Sequence, residues 1–349
     1  MTTSTAPLDN FDTSISDGGL GAKVKTDRDR PPLGSFVFGP AFDGTCFIIK
    51  DNLLFYCKPK QPEAWPALFF IEVDVNEFPG KTGVFHSGQP HYFTTRDIFL
   101  ILGQGNGLFQ PIRLNSKTGA QSIRGAVSVT GIGIFHTGPD GLYLFSSGGD
   151  QKITEQSLEP IFRGETKEGL PGVSDMSKSW LWAYRNHLYF GYVSAGDTYP
   201  VNILVLNMQT RRLNHYAYND GSDIEIRAIQ TDHTNNRLLV GDGTGFIRVI
   251  EDTASTDDSG AAISYALQSK EFTLPKRKHF PRWMKYDINV PSTSVCTGEL
   301  LLDGAIHHSH TITGDRVTKR RLVDTGNGNK AAIRISGTGP VSIYTTELE

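Results

Sequence analysis

The chain has 349 residues, 20% of them charged, and a formal net charge of −3. This is the composition of a globular chain with room for one large or two ordinary domains, and it excludes a general electrostatic attraction to nucleic acid or acidic lipid. No apolar run has the length of a membrane-crossing helix, and MTTSTAPLDNFDTS lacks the basic start and apolar core of a secretory signal. No membrane anchor is therefore expected, and synthesis in a cytoplasm is.

Residues 1–32 are polar and aperiodic, ending in TDRDRPP, and are expected to form a loose N-terminal arm. From Ser35 the texture changes to short apolar runs separated by turn residues. CFIIKDNLLFYC predicts a hairpin about Asp51-Asn52, which sets Cys46 opposite Cys57 at a wide, hydrogen-bonded pair. That spacing disfavours a disulfide, so Cys46, Cys57 and Cys296 are expected as free thiols. KQPEAWPALFFIEV, KTGVFHS and HYFTTRDIFLILG follow, with Arg96-Asp97 at a turn. GIFHTGPDGLYLFSS then pairs two runs about Pro139-Asp140-Gly141, where Gly141 is expected to carry a positive φ. SWLWAYRNHLYFGYV turns at Arg185-Asn186, and VNILVLNMQTRRLNHYAY turns at Met208 to Thr210. The best helical candidate, Lys152 to Phe162, is expected to stop after a turn or two at Pro160.

A turn followed by a Leu/Ile-aromatic strand recurs as DNLLFYC, TRDIFLIL, DGLYLFS, RNHLYFGY and NNRLLVGD. Its spacing of roughly 40 to 50 residues matches four-stranded propeller blades. The expected fold is therefore all-β. A β-propeller core over residues 33–282 has about six blades, five to seven being allowed, with AISYALQSKEFTLP and MKYDINV as the sixth. Residues 283–349, in simple alternation, predict a small C-terminal β-sandwich or a closing blade.

Few residues suggest chemistry. Gly103-Gln104-Gly105-Asn106-Gly107 resembles a phosphate loop, but Pro111 precludes the helix such a loop needs, so a hairpin loop is expected. His308 and His310 can share one face of a strand, and His307 lies beside them. No cysteine or acidic partner completes a metal shell there, so no metal and no cofactor are expected. Asp74, Asp97, Glu155, Glu159 and Asp223 are carboxylates that a propeller glycosidase could converge on its channel, but neither an Asp-box nor a Gly-x-Ser-x-Gly elbow is present. No enzyme is expected. Two basic clusters, Lys276-Arg277-Lys278 with Arg282, and Lys319-Arg320-Arg321, are candidates for contact with a genome or a neighbouring subunit. They are also what solvated strand edges carry.

Several stretches between Ser35 and the C-terminus resemble a family. NLLFYCKPKQPEAWP, VFHSGQPHYFTTRDIFLILG, SVTGIGIFHTGPDGLYLFSS and DSGAAISYALQSKEFTLP, with RWMKYDINV and GELLLDG after it, look like elements of the β-propeller structural proteins of tailed bacteriophages. These are the tail nozzle and packaged-DNA stabilisation proteins of the head-tail junction. The resemblance implies a virion structural protein. Its copies would form a ring, hexameric in the family, around the genome exit channel. Its partners would be adaptor and other tail proteins, with non-specific contact to packaged DNA. The alternatives are a carbohydrate-binding or glycan-degrading propeller for host-surface recognition, and an intracellular propeller scaffold.

Overall fold

The computed structural model describes residues 29–73, 78–103, 109–154, 158–167, 169–218, 223–251, 257–258, 261–262, 264–273, 283–322, 328–339 and 341–348. The chain is all-β and divides into two compact units, Met1–Tyr216 and Ala217–Glu349. Of the expected arm, residues 1–28 lie outside the described residues.

The first unit holds four sheets of four antiparallel strands, each sheet a simple up-and-down meander. Sheet one is Phe36–Phe38, Phe47–Lys50, Leu53–Tyr56 and Phe70–Glu72. Sheet two is Gly80–His86, Gln89–Thr94, Ile98–Leu102 and Gln110–Arg113. Sheet three is Ala126–Val129, Gly133–Gly138, Gly141–Ser146 and Gly149–Lys152. Sheet four is Asp175–Tyr184, His187–Val193, Asn202–Asn207 and Leu213–Ala217. The first strand of each sheet runs beside the first strand of the next. This is the relation between successive propeller blades.

The packing follows from period-two alternation in strands that are apolar on both faces. Tyr92 enters the core shared with Phe38, Phe47, Ile49 and Leu54 of sheet one, while its neighbour Phe93 enters the core shared with Ile134 of sheet three. One blade further on, Ile134 faces sheet two, and Phe135 packs with Leu188, Phe190 and Leu204 of sheet four. Each interior sheet thus buries two opposite rows of side chains, so no blade is stable as a separate layer.

The turns form where polar residues interrupt the apolar runs. Lys50 pairs with Leu53 across Asp51-Asn52, and Tyr184 with His187 across Arg185-Asn186; Asp51 and Arg185 take left-handed φ values of 54° and 52°. Cys46 lies opposite Cys57, with the Cys46 amide donating to Cys57 Sγ at 3.0 Å, and all three cysteines are free thiols. At Pro139-Asp140 the expectation for Gly141 fails. Its φ lies outside the left-handed region, and it is glycine because a Cβ there would overlap Thr154 Oγ1 and press on Lys152. The one short α-helix among the described residues, Glu159–Phe162, contains Pro160 in its first turn. Proline starts this helix and does not stop it, since a first-turn amide needs no intrahelical acceptor.

The recurrent turn-Leu-aromatic stretch does not keep one place in the blades. It is the third strand in sheets one to three but the second strand, His187–Val193, in sheet four. It supplies the same physical need, a doubly buried interior strand, at either position.

In the second unit, Ile226–Asp232, Arg237–Asp242 and Ile247–Ile250 form a three-stranded meander. A β-sandwich follows. One sheet orders Ser264–Gln268, Lys330–Thr338, Val295–Leu302 and Ala305–Ile312, with Phe272–Thr273 also pairing to Lys330–Thr338. The other sets Trp283–Val290 between Gly314–Leu322 and Ser342–Leu348. Met284, Tyr286, Ile288 and Val290 meet Cys296, Leu300, Leu302, Ile333 and Ile335 in its core. The expected sixth blade is therefore not a blade, because Ser264–Gln268 and Trp283–Val290 belong to different sheets of the sandwich.

A buried charged-type pair lies inside the first unit. His136 and Asp150 are buried, with His136 Nε2 3.0 Å from Asp150 Oδ1. Asp150 Oδ2 accepts the Lys117 amide at 2.8 Å, which holds the link between sheets two and three against sheet three. The imidazole stacks on Tyr143 and lies against Phe93. Replacing Asp150 with Ala strands a buried imidazole and a buried amide without their acceptor. We expect a loss of about 3 kcal/mol, read as a lower urea midpoint for the first unit; an unchanged midpoint would refute the structural role of this pair.

Candidate binding site

A cavity of about 540 Å³ opens at the loop ends of sheets one and two. Its walls are the loops between first and second strands and between third and fourth strands, so all of them lie at one end of the meanders. In sheet one these are Ala41 to Asp43 and Pro59-Lys60; in sheet two, Gly88 to Pro90 and Ile101 to Gly103. Phe109 and Ile101 form a buried apolar floor, and Phe109 packs edge-on against Phe47 and Tyr56 at 5.3 and 4.8 Å.

Local turn chemistry holds the rim. Asp43 Oδ1 accepts the Thr45 amide at 3.0 Å, and the Ala41 amide donates to Thr45 O at 2.7 Å. Gly44, at φ 81°, sits against the backbone of Lys60, where a Cβ would lie 2.9 Å from Lys60 N. The two loops of sheet one are thereby locked to each other. Lys60 itself takes φ 57°. On the opposite wall, Ser87 and Gly88, at φ 52° and 78°, close a tight hairpin that brings Gln89 and Pro90 to the cavity. Phe42 stands on this rim fully solvent-exposed, at 101% of its reference area. An exposed phenyl ring above an apolar floor, ringed by Asp43, Lys60 and Gln89, can stack on a ligand face and hydrogen-bond to its edge.

The residues singled out in the sequence do not converge on this cavity. Lys276, Arg277, Lys278 and Arg282 lie outside the described residues. Lys319, Arg320 and Arg321 fall in the strand Gly314–Leu322, paired with Tyr286, Lys285 and Met284; only their backbone is described. His308 and His310 do share a face: their rings lie 5.7 Å apart, and His310 Nε2 is 3.2 Å from Tyr286 Oη in the sandwich core. Among the described residues no group of three His, Cys, Asp or Glu side chains could hold a metal. After Gly103, residues 104–108 lie outside the described residues, and the chain continues as the strand Gln110–Arg113 paired to Ile98–Leu102. Among the described residues no helix follows to hold a phosphate.

The carboxylates are occupied elsewhere. Asp97 is buried and holds Arg113, with Nη2 at 2.6 Å. Glu159 pairs with Lys152 and Arg163. Asp140 accepts from Lys152 at 2.8 Å and from Tyr143 Oη at 2.7 Å. Burial pushes the Asp140 carboxyl up, but these two hydrogen bonds outweigh it and hold the group below its ordinary range. The sign follows: this contact supports folding above about pH 4 and is lost as pH falls through the lowered value. Asp74 and Glu155 lie outside the described residues, and Asp223 belongs to the second unit.

Sequence reasoning missed the cavity because its lining comes from four loops separated along the chain. One signal was available. In GPAFDGT, a phenylalanine sits among turn residues, where no strand could bury it.

No family model matches the chain, and no curated protein matches it. Solved structures give distant likenesses. The extracellular domain of the putative hybrid two component system BT3049 from B. thetaiotaomicron has a TM-score of 0.41 at 11% identity, over 86% of this chain and 43% of that one. PorZ from Porphyromonas gingivalis, described as a bacterial surface component of the type-IX secretion system, has a TM-score of 0.39 at 11% identity, over 94% and 46%. Kluyveromyces lactis Hsv2 has a TM-score of 0.37 at 7% identity, over 65% and 64%. The chain spans less than two-thirds of the length of each of these three.

A buried thiol close to the cavity loops in sequence gives a test of this packing. Cys57, just before Lys58, Pro59 and Lys60, is buried, and its thiol is pushed up to about 11, by burial first. At pH 8 its thiolate fraction is then on the order of one in a thousand. Cys57 is expected to resist iodoacetamide at pH 8 in the native protein and to react fully in denaturant. Native labelling at the rate of a free thiol would overturn this placement.

Proposed function

We propose that this chain is a non-catalytic binding protein whose ligand is a carbohydrate, held at the loop-end cavity of sheets one and two. The observation that carries this reading is Phe42, a fully exposed aromatic ring on the rim of an apolar-floored cavity of about 540 Å³. Sugars present an apolar C–H face and a polar hydroxyl edge. Phe42 fits the first, and Asp43, Lys60 and Gln89 fit the second. The volume falls within the range of small-molecule sites, roughly 300–1,000 Å³. Binding is favoured over hydrolysis because glycosidases need two carboxyl groups flanking the scissile bond, and Asp43 is the one carboxylate among the described lining residues. Phe42→Ala is expected to weaken glycan binding at least tenfold in a titration against hits from a glycan array, while stability changes by less than about 0.5 kcal/mol because the ring is exposed. An array with no hits, or hits unaffected by Phe42→Ala, would sink the reading.

A second reading is a structural protein of a bacteriophage tail or head-tail junction, present in several copies around the genome path. What supports it is the order of motifs from Ser35 to the C-terminus, from NLLFYCKPKQPEAWP through SVTGIGIFHTGPDGLYLFSS to GELLLDG. The two readings are compatible, since a virion surface is one place where host glycans are met. Mass spectrometry of purified virions tests the second: it predicts this chain as a stoichiometric virion component, and its absence there would leave only the first.

A further inference from the structure

Lys60 occupies an unusual place on the cavity rim. Lys58-Pro59-Lys60-Gln61 is a β-turn, closed by the Gln61 amide donating to Lys58 O at 3.0 Å. Proline at its second position and a φ of 57° at its third, Lys60, make it a type II turn. That third position calls for glycine or asparagine, because a Cβ at positive φ crowds the following carbonyl. Lysine is strained there, and its long side chain is not needed to close the turn.

The surrounding wall holds the strained residue in place. The Lys58 amide donates to Ala64 O and the Ala64 amide to Gln61 O, both at 2.9 Å, which pins the turn from its far side. Across the gap, a Cβ on Gly44 would lie 2.9 Å from Lys60 N and 3.1 Å from Lys60 Cγ. The turn therefore cannot relax toward Gly44, and the start of the lysine stem lies close over that glycine, at the cavity wall. Strain that the surroundings enforce, and that sits at a cavity, points to a function for the side chain.

Charge indicates which function. Lys60 is the one cation among the described lining residues, and Asp43 is the one carboxylate. Asp43 is committed to its own loop, where Oδ1 accepts the Thr45 amide at 3.0 Å. Lys60 is exposed, and among the described residues no ion pair or hydrogen bond engages its ammonium. The net charge of −3 opposes anions at long range. Salt screens that field beyond about 8 Å at physiological ionic strength, so the nearest charge decides.

We infer that the glycan bound here is acidic, its carboxylate or sulfate meeting the Lys60 ammonium while its ring stacks on Phe42. The inference rests on the glycan reading above and adds the sign of the ligand's charge. Phe42 and Lys60 belong to the two loops of sheet one that meet at Gly44, so ring and charge are presented together on a wall already ordered. Such preorganisation lowers the cost of binding.

The test uses the full chain and paired glycans: glucuronate-ended against glucose-ended, and sulfated against unsulfated galactose. The acidic member of at least one pair is expected to bind about tenfold more tightly, the scale of one charge-assisted hydrogen bond. Lys60→Met, which keeps a stem of similar length and removes the charge, should erase that preference, and Lys60→Arg should retain it. Lys60→Gly should erase it while leaving the urea midpoint as high or higher, since glycine relieves the turn. A lysine kept only for folding would do the reverse: a lower midpoint in Lys60→Gly with the acidic preference intact in Lys60→Met would overturn the inference. Pairs bound alike by the unaltered chain, with binding still lost in Phe42→Ala, would also overturn it and leave the glycan reading standing. No binding to any glycan would overturn both.

Discussion

In each blade of the first unit a polar peg ties the outermost strand to the strand beside it. The fourth strands bury little: Phe70–Glu72 and Gln110–Arg113 are mostly exposed or half-exposed. In each sheet a side chain at the entry to the third strand reaches across to the fourth. Asn52 donates to Glu72 at 2.9 Å, Asp97 accepts from Arg113 at 2.6 Å, and Asp140 accepts from Lys152 at 2.8 Å. In sheet four Asn202 Oδ1 lies 2.9 Å from His215 Nε2. The residue types differ while the position recurs, so the constraint is geometric. A hairpin turn puts its polar residue beside the outer strand, and that strand supplies a polar end that the core cannot.

Once the outer strands are held, the inner strands can be apolar on both faces, and blades stack by alternation along each strand. Tyr92 and Phe93, or Ile134 and Phe135, each send consecutive side chains into two different cores. The same stacking gathers the loops between first and second strands at one end of the meanders, beside those between third and fourth strands. The cavity under Phe42 is a by-product of that arrangement: its floor is the top of the core between sheets one and two, and its rim is turn residues. A binding surface on such loops can vary without disturbing the stack.

The far face of sheet one is covered in part: Ile48 lies under Trp65, while its row ends at Val37 and Phe70. Val37 and Phe70 are as apolar as residues buried between blades, yet they are exposed. The sequence treats both faces of sheet one as interior.

Strand, turn and hairpin content was legible from the chain alone, because it rests on near neighbours: Asp51-Asn52, Arg96-Asp97 and Arg185-Asn186 interrupt apolar runs, and each is a turn. The opposition of Cys46 and Cys57 was legible for the same reason, as it counts outward from one hairpin. What the sequence by itself determined is therefore an all-β chain of stacked meanders. Which strand a given apolar run becomes was not legible, as His187–Val193 shows, since a doubly buried second strand and third strand have one composition. Nor was the fate of Ser264–Gln268, which is sorted into the sandwich by pairing with Lys330–Thr338, far along the chain. Gly141 was correctly singled out but for the wrong cause, because crowding by Thr154 and Lys152 is a contact between strands and not a local backbone preference. The meeting of four loops around the cavity and the pegs were decided by tertiary structure alone. Each depends on residues distant in sequence meeting across a sheet, and periodicity carries no information about that meeting.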